Sequence, residues 1–381
     1  MKNLILIALV ALAFQVVAQK NNVQSAANSL KYDEYEEGKK YIDLATVHPK
    51  TVNDPKMWYY RGKVYLAIHD KKKAIDPDAI RKSTESLMKC LEIDERKMFT
   101  DSARVYLMRA SISCFYEGLE KYKVEDYKYA GELYDIVLKT LVYDENKDLA
   151  RNNVSEKNVY LYMYYAANGA KDKVKEKQYL EKLIELNYND PRIYIYMSRL
   201  YQEEKDTATA LQYVEKGRDR FYDDNSLIGE QVNLSLKLGK GEDLLAKITE
   251  DIGYDPGNAI LFMVRGMLYE KKEDLENAAK DYKESLVINP DNFNANFNLG
   301  IMYYNEGATI MGVAKDILDN NKYNAEKTKA DAKFREALPF FEAAHEIDPK
   351  DEIAAQSLLR LYPRLGETEK YTKLKEKLTN E

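Results

Sequence analysis

Cysteine is nearly absent: the 381 residues hold two, Cys90 and Cys114. Two thiols cannot build a disulfide framework, so stability has to come from packed apolar surface. Histidine is almost as scarce. His48, His69 and His345 are the three; no two stand at metal-ligand spacing on one helix, and there is no His-Glu-x-x-His, so no metal site is expected. A nucleophile elbow, a phosphate loop and a dinucleotide fingerprint are missing as well. Carboxylates abound, as in Glu34–Tyr35–Glu36–Glu37, but no motif pairs them, and they read as helix-surface charge. An enzyme reading therefore has no residues to stand on, and no cofactor is implied. Glycine (16) and proline (9) are few for this length, which suits many helices joined by short turns. Gly239–Lys240–Gly241 is a lone turn signal. Neither sign of charge dominates: charged residues make up 32% with a net charge of −6. Lys71–Lys73 is the one tight basic run and reads as a solvated loop, so no nucleic-acid partner is expected.

Long apolar runs are missing too, save one. Lys2 supplies a positive start, Leu4 to Phe14 run apolar, and Val16, Val17 and Ala18 place small residues before a cleavage expected ahead of Gln19. The run is too short for a transmembrane helix, and Gln15 interrupts its end. Residues 1–18 thus read as a signal peptide. No cysteine near the cleavage point offers a lipid anchor. The expected location is the periplasm, the cell surface or the medium.

What is present is a period. A step of 34 residues joins Ser198, Val232, Gly266 and Gly300; Tyr201, Ser235, Tyr269 and Tyr303; Tyr194, Ile228, Phe262 and Asn296; and Pro256 and Pro290. A fixed period of this length marks a repeat array. Within a unit, an aromatic, a small residue and a second aromatic stand at i, i+4 and i+7, one face of a helix. The small residue lets a partner helix approach. A second helix follows, with Ala278 at the close contact and then Tyr282, Leu286 and Ile288, until Pro290 stops it. Val159–Tyr164 and Ile193–Tyr196 are rich in strand-favouring residues, yet the ladder passes through Tyr194, and both are expected to be helical.

These residues resemble the tetratricopeptide repeat (TPR). Trp58, Gly62 and Tyr65 match its pattern early in the chain. Tyr194, Met197, Ser198, Tyr201, Ala210 and Val214 match it mid-chain, and Leu299, Gly300, Tyr303, Ala337, Phe341, Ala344 and Pro349 near the end. Weaker units fall around Ala27–Pro49, Ala103–Asp144, Asn158–Asn187 and Asn225–Pro256; one of them departs from the motif at Glu176, where the family has Ala. The resemblance implies an all-α, right-handed solenoid spanning residues 19–381. It would comprise about eight helix-turn-helix units and a closing helix pair from Asp351 to Leu378. Secreted TPR proteins of Gram-negative bacteria look similar.

Two insertions break the period. Tyr65 to Ser83 is longer than the motif, with His69 and Pro77 in an expected loop. Tyr303 to Ala337 is longer by 25 residues. There Ile310, Val313, Ala314 and Ile317 keep helical spacing, Asp319, Asn320 and Asn321 supply a turn, and Asn324 is expected to cap the returning helix. Residues 306–334 are read as a protruding helical arm, whose stripe of Ile310, Val313, Ile317 and Leu318 is either a partner-docking surface or a second contact with the solenoid, the alternative being a self-contained hairpin without a role.

Tyrosine is the outlier, at 32 residues beside one Trp. Most should be core; the rest bear on binding. In TPR proteins the inner groove is lined by first-helix positions. Transferred here, these are Lys56, Tyr59 and Lys63; Arg192, Ile195, Arg199 and Gln202; Met263 and Met267; and Phe297, Ile301 and Tyr304, with Ile260, Glu270 and Asn294 beside them. The Lys-and-Asn clamp that cytosolic chaperone-binding TPRs use for a terminal carboxylate is absent at these positions. The function expected is a non-catalytic scaffold of the bacterial envelope that binds protein partners. A glycan- or peptidoglycan-binding protein using groove tyrosines is the alternative. Cys90 and Cys114 fall on helices expected to be neighbours, which leaves a disulfide and a pair of buried thiols both open.

Overall fold

The computed structural model describes residues 21–380; the expected signal peptide lies outside them. The described residues are 80% helical, with no strand among them. Within each unit, helices pack mainly on neighbours close in sequence, as those from Tyr35 to Thr140 and from Thr207 to Asn380 do in succession, the pattern of a solenoid. The strand-favouring runs are helical because one face of each is buried: Val159 and Met163 in one, Ile193, Tyr194 and Met197 in the other. No described helix is long and apolar enough to cross a membrane.

Two compact units are present, Met1–Ile193 and Tyr194–Glu381. The first contains α1 (21–31), α2 (Tyr35–Thr46), α3 (Pro55–Lys72), α4 (Ala79–Ile93), α5 (Thr100–Lys123), α6 (Tyr127–Thr140), α7 (Asp148–Arg151), α8 (Glu156–Gly169) and α9 (Lys173–Glu185). The second opens in the first turn of α10 (Arg192–Glu203). It continues through α11 (Thr207–Arg220), α12 (Asn225–Lys237), α13 (Gly241–Tyr254), α14 (Ala259–Lys271), α15 (Leu275–Ile288), α16 (Phe293–Ala314), α17 (Asn320–Ile347), α18 (Glu352–Leu365) and α19 (Thr368–Asn380).

The 34-residue period reappears in the turn inside each helix pair. Lys171, Lys205, Gly239 and Glu273 stand one period apart, and all four adopt positive φ, between 58° and 70°. The residue after each opens the second helix. Asp172, Asp206 and Asp274 accept from the backbone N–H of Lys175, Thr209 and Asn277, satisfying donors that the helix start leaves unpaired.

The small-residue positions do the packing expected of them. A Cβ on Gly62 would lie 2.4 Å from Leu87, one on Gly266 2.8 Å from the Tyr282 ring, and one on Gly300 3.2 Å from Phe341. Tyr282 is fully buried, and its hydroxyl donates to Glu270 Oε2 at 2.6 Å.

The arm is present as paired elongation. α16 has 22 residues and α17 has 28, against 13 and 14 in α14 and α15. The extra turns amount to about 15–20 Å of rod. Gly300, Gly307 and Ala314 recur every seven residues along α16, and Ala330, Ala337 and Ala344 do so along α17; all six are buried. A Cβ on Gly307 would come within 3.0 Å of the Ala330 carbonyl. A heptad of small residues on both partners brings the backbones close along one seam.

Three sequence expectations need correction. α3 runs on to Lys72, so His69 sits on a helix and not in a loop. The returning arm helix is capped by Asp319, which accepts from Asn321 and Lys322 N–H; Asn324 lies inside the helix. α16 ends at Ala314, so Ile317 and Leu318 belong to the turn. Of the alternatives for the arm, its base makes the second solenoid contact and is not a self-contained hairpin. Ala330 and Phe334 join Leu358, Leu361, Tyr362, Leu365 and Leu374 of the closing pair in one core, with Ile310 and Met311 packed against it. Arg364 lies 4.1 Å from the centre of the Phe334 ring and pairs with Asp331 at 3.2 Å. Only the tip is bare: Val313 is 66% and Leu318 99% exposed.

The two cysteines are free and buried, which corrects the disulfide alternative. Burial pushes the Cys90 thiol up to about 12 and raises Cys114 as well. The Cys114 thiol lies 3.7 Å from the Leu133 carbonyl oxygen.

Candidate functional site

Three helices of the first unit, α1, α3 and α5, enclose a concavity of about 500 Å³. α3 presents Tyr60, Lys63, Ala67 and Asp70 to it at helical spacing, and α5 adds Tyr106 and Arg109. Both helices owe their length to buried faces, Met57, Val64, Tyr65 and Ile68 on one and Leu107, Ala110 and Cys114 on the other. The opposite faces remain for the opening.

Lys63 is the centre of the site. Its Nζ lies 5.2 Å from the centre of the Tyr59 ring, 5.8 Å from Tyr60 and 4.8 Å from Tyr106, distances at which ring faces attract a cation. Burial works to lower the Lys63 pKa, but Tyr59 and Tyr106 outweigh it, and the net shift is upward. The ammonium therefore stays charged at neutral pH. Arg109 is tied to Asp70 at 2.5 Å, and the Tyr35 hydroxyl donates to Asp33 at 2.7 Å. Lys31, Lys63, Lys71 and Arg109 line the opening against Asp33 and Asp70, a cationic and aromatic surface with complementarity for acidic groups.

The structure sorts the expected groove residues unevenly. Lys63 lines the opening, and Lys56 lies 5.9 Å from the Tyr60 ring on the same side of α3. Tyr59 is only 9% exposed and packs on Phe99 at 5.2 Å; Tyr60 is the groove tyrosine, one position along. The helical series Lys56, Tyr60, Lys63, Ala67 would have shown this. Ile195 (7%) and Met263 (1%) are core residues, because their faces meet the neighbouring helices rather than an opening. Met267 packs against the core around Met263 and Leu268. Phe297, Ile301 and Tyr304 pack against the core formed with the closing pair, Tyr304 at 5.2 Å from Phe334. Arg192 is exposed and pairs with Asp190 at 2.6 Å. Arg199 is exposed. Gln202 donates to Glu230 at 2.6 Å, bridging α10 and α12. The arm residue Ile310 is half-buried at the same C-terminal core. Tyr106 and Arg109 were not anticipated, since α5 belongs to a unit whose motif is weak.

Most tyrosines sit where packing uses them. Tyr65, Tyr134 and Tyr282 are among the largest fully buried side chains, and Tyr201 stacks on Tyr213 at 5.4 Å. Among the described residues no group of three or more His, Cys, Asp or Glu side chains is arranged to hold a metal ion.

Comparison with known proteins agrees with the repeat. A family model described as TPR repeat matches residues 266–307, from the second half of α14 into α16. No curated protein sequence matches the chain. Solved structures are similar at low identity. A TPR repeats protein from Bacteroides fragilis is 19% identical, covering 67% of this chain and 98% of its own, at TM-score 0.27. A human IFIT1 dimer with m7Gppp-AAAA is 16% identical, covering 84% and 68%, at TM-score 0.37. YrrB, described as a TPR protein with an unusual peptide-binding site, is 16% identical, covering 56% and 96%, at TM-score 0.30.

Proposed function

We propose that this chain, whose 34-residue period and match to a TPR repeat model over residues 266–307 point to a fold that serves protein–protein interaction, is a non-catalytic scaffold exported to the bacterial envelope. It binds an acidic segment of a protein partner in the concavity of its first unit. The observation that carries the reading is Lys63 held among Tyr59, Tyr60 and Tyr106 beside the open Lys31 and Lys71. A cation set on ring faces is oriented before the partner arrives, so less rotamer freedom is lost on binding. Export rests on the apolar run after Lys2 and the small residues before Gln19. The bare arm tip at Val313 and Leu318 is a second contact point for a partner.

The test is a photo-crosslinking amino acid at Ala67 in the full chain, expressed in its native envelope. A discrete crosslinked partner is expected, lost in Lys63→Glu/Arg109→Glu while the far-UV circular dichroism is unchanged. Retention of the same crosslink in the double variant would refute the site. Capture of purified glycan strands by the intact protein, with no protein partner, would favour the carbohydrate reading instead.

A further inference from the structure

The second unit holds a cleft that the scaffold reading does not use. It opens between α11 and α13 over α12, with about 360 Å³ of space. Arg218 on α11 lines it, and the setting of that side chain is unusual. Its Nε and Nη1 are both shut off from the surface, and neither finds an acceptor in the protein. Buried polar groups in proteins are overwhelmingly hydrogen-bonded, and a guanidinium left without acceptors calls for an explanation. Burial acts first to lower its pKa, opposed by Asp223, Asp224 and Asp219. Carboxylates stand nearby: Glu215 and Asp219 from α11 and Asp251 from α13 line the same cleft without accepting from Arg218. Lys247 is the other cation of the lining, and the buried Leu244 and Ile248 supply an apolar wall.

We infer that this cleft is a binding site for a small dipolar ligand of the amino-acid type, its carboxylate received by Arg218, its ammonium by Glu215, Asp219 and Asp251, and an aliphatic side chain by Leu244 and Ile248. The guanidinium, the carboxylates and the apolar wall each have a counterpart in such a ligand. A part-buried guanidinium with two N–H groups lacking acceptors is a strong carboxylate receptor. Three carboxylates in the lining disfavour a bare multivalent anion, because like charges would be forced together, and they favour a ligand that carries its own cation. The volume suits one residue-sized molecule at the low end of small-ligand sites.

Isothermal titration of the full chain at low ionic strength tests this with four probes. Free leucine is expected to bind saturably. N-acetyl-leucine, which lacks the ammonium, and leucinamide, which lacks the carboxylate, should each bind at least about tenfold more weakly, since each leaves a built group unpaired. Inorganic phosphate should not compete. Arg218→Met should abolish leucine binding without lowering the melting temperature, because it removes a part-buried cation whose Nε and Nη1 have no acceptor in the protein. Arg218→Lys should bind weakly but measurably. Phosphate binding tighter than leucine would overturn the dipolar assignment, as would equal binding of N-acetyl-leucine. No binding by any probe, together with a lower melting temperature for Arg218→Met, would make Arg218 a structural partner of Glu215 or Asp219 and overturn the site altogether. All of these outcomes are independent of the α1–α3–α5 concavity.

Discussion

Arg265 and Asp281 make a buried, two-pronged polar contact between paired helices, and it can be tested quantitatively. Arg265 Nε lies 2.7 Å from Asp281 Oδ2, and Nη2 lies 2.8 Å from Oδ1, the two-pronged geometry that suits guanidinium and carboxylate. The Asp281 side chain is 3% exposed and that of Arg265 17%. Asp281→Ala would leave the guanidinium in the α14/α15 seam with no carboxylate to meet it. Breaking a buried pair in this way costs about 3–5 kcal/mol. Residual exposure, and the Phe262 ring at 5.5 Å from the Arg265 guanidinium, argue for the lower end, about 3 kcal/mol. The double replacement Arg265→Met/Asp281→Leu removes both charges and fills the space, so it should sit within about 1 kcal/mol of the parent or above it. In a repeat array stability is local, so the assay is hydrogen exchange of α14 and α15 amides, backed by urea unfolding. The expected order is parent and double variant alike, with Asp281→Ala exchanging roughly a hundredfold faster, the equivalent of about 3 kcal/mol. If Asp281→Ala costs under about 1 kcal/mol, or the double variant is as unstable as the single, the pair is not the buried, mutually dependent contact described here.

Other outcomes follow from the same packing. Gly62→Ala should destabilise by about 1–3 kcal/mol in urea titration, because its Cβ would meet the fully buried Leu87 at 2.4 Å. Gly229→Ala, mid-helix with nothing within 4 Å, should stabilise by about 0.5–1 kcal/mol. Gly239→Ala should cost about 1 kcal/mol through backbone strain alone, since its φ is +70° in open space. Phe334→Ala should cost about 3–5 kcal/mol, whereas Leu318→Ser at the bare arm tip should stay within about 0.5 kcal/mol, both read by melting. Neither cysteine should react with a thiol reagent in the native protein, and the chain unfolded in urea should titrate as two free thiols. Burial, ahead of the nearby charges, depresses the pKa of His69 below 6.5. The unfolded chain therefore takes up the proton more readily, and stability should fall as pH drops through 6.5; His69→Gln should flatten that slope.

The period carried the fold, and it did so without any tertiary information. Residues 34 apart such as Gly266 and Gly300 must have the same job if the units stack, so spacing alone placed them at close helix contacts. The same logic placed the helix pairs and the elongation of α16 and α17, since hydrophobic periodicity and turn residues are local properties of the chain. Site residues were less legible. One residue of register separates Tyr59, buried against Phe99, from Tyr60, open to the concavity. A helix turns 100° per residue, so an error of one position moves a side chain from groove to core. Met263 and Ile195 were lost in the same way.

What only the tertiary structure decided is what each exposed-looking face meets. The apolar stripe of the arm is partly covered by α18 and α19, which follow it in the chain; no local pattern reports that. Tyr106 and Arg109 complete the Lys63 site from a helix whose motif is weak. Arg218 reads in the sequence as one more surface charge, and becomes distinctive only when packing encloses its Nε and Nη1 with no acceptor. Sequence fixes which side of a helix is apolar because that is a matter of angle along one axis. Which neighbour covers that side, and which polar atom is left without a partner, depends on contacts between segments far apart in the chain.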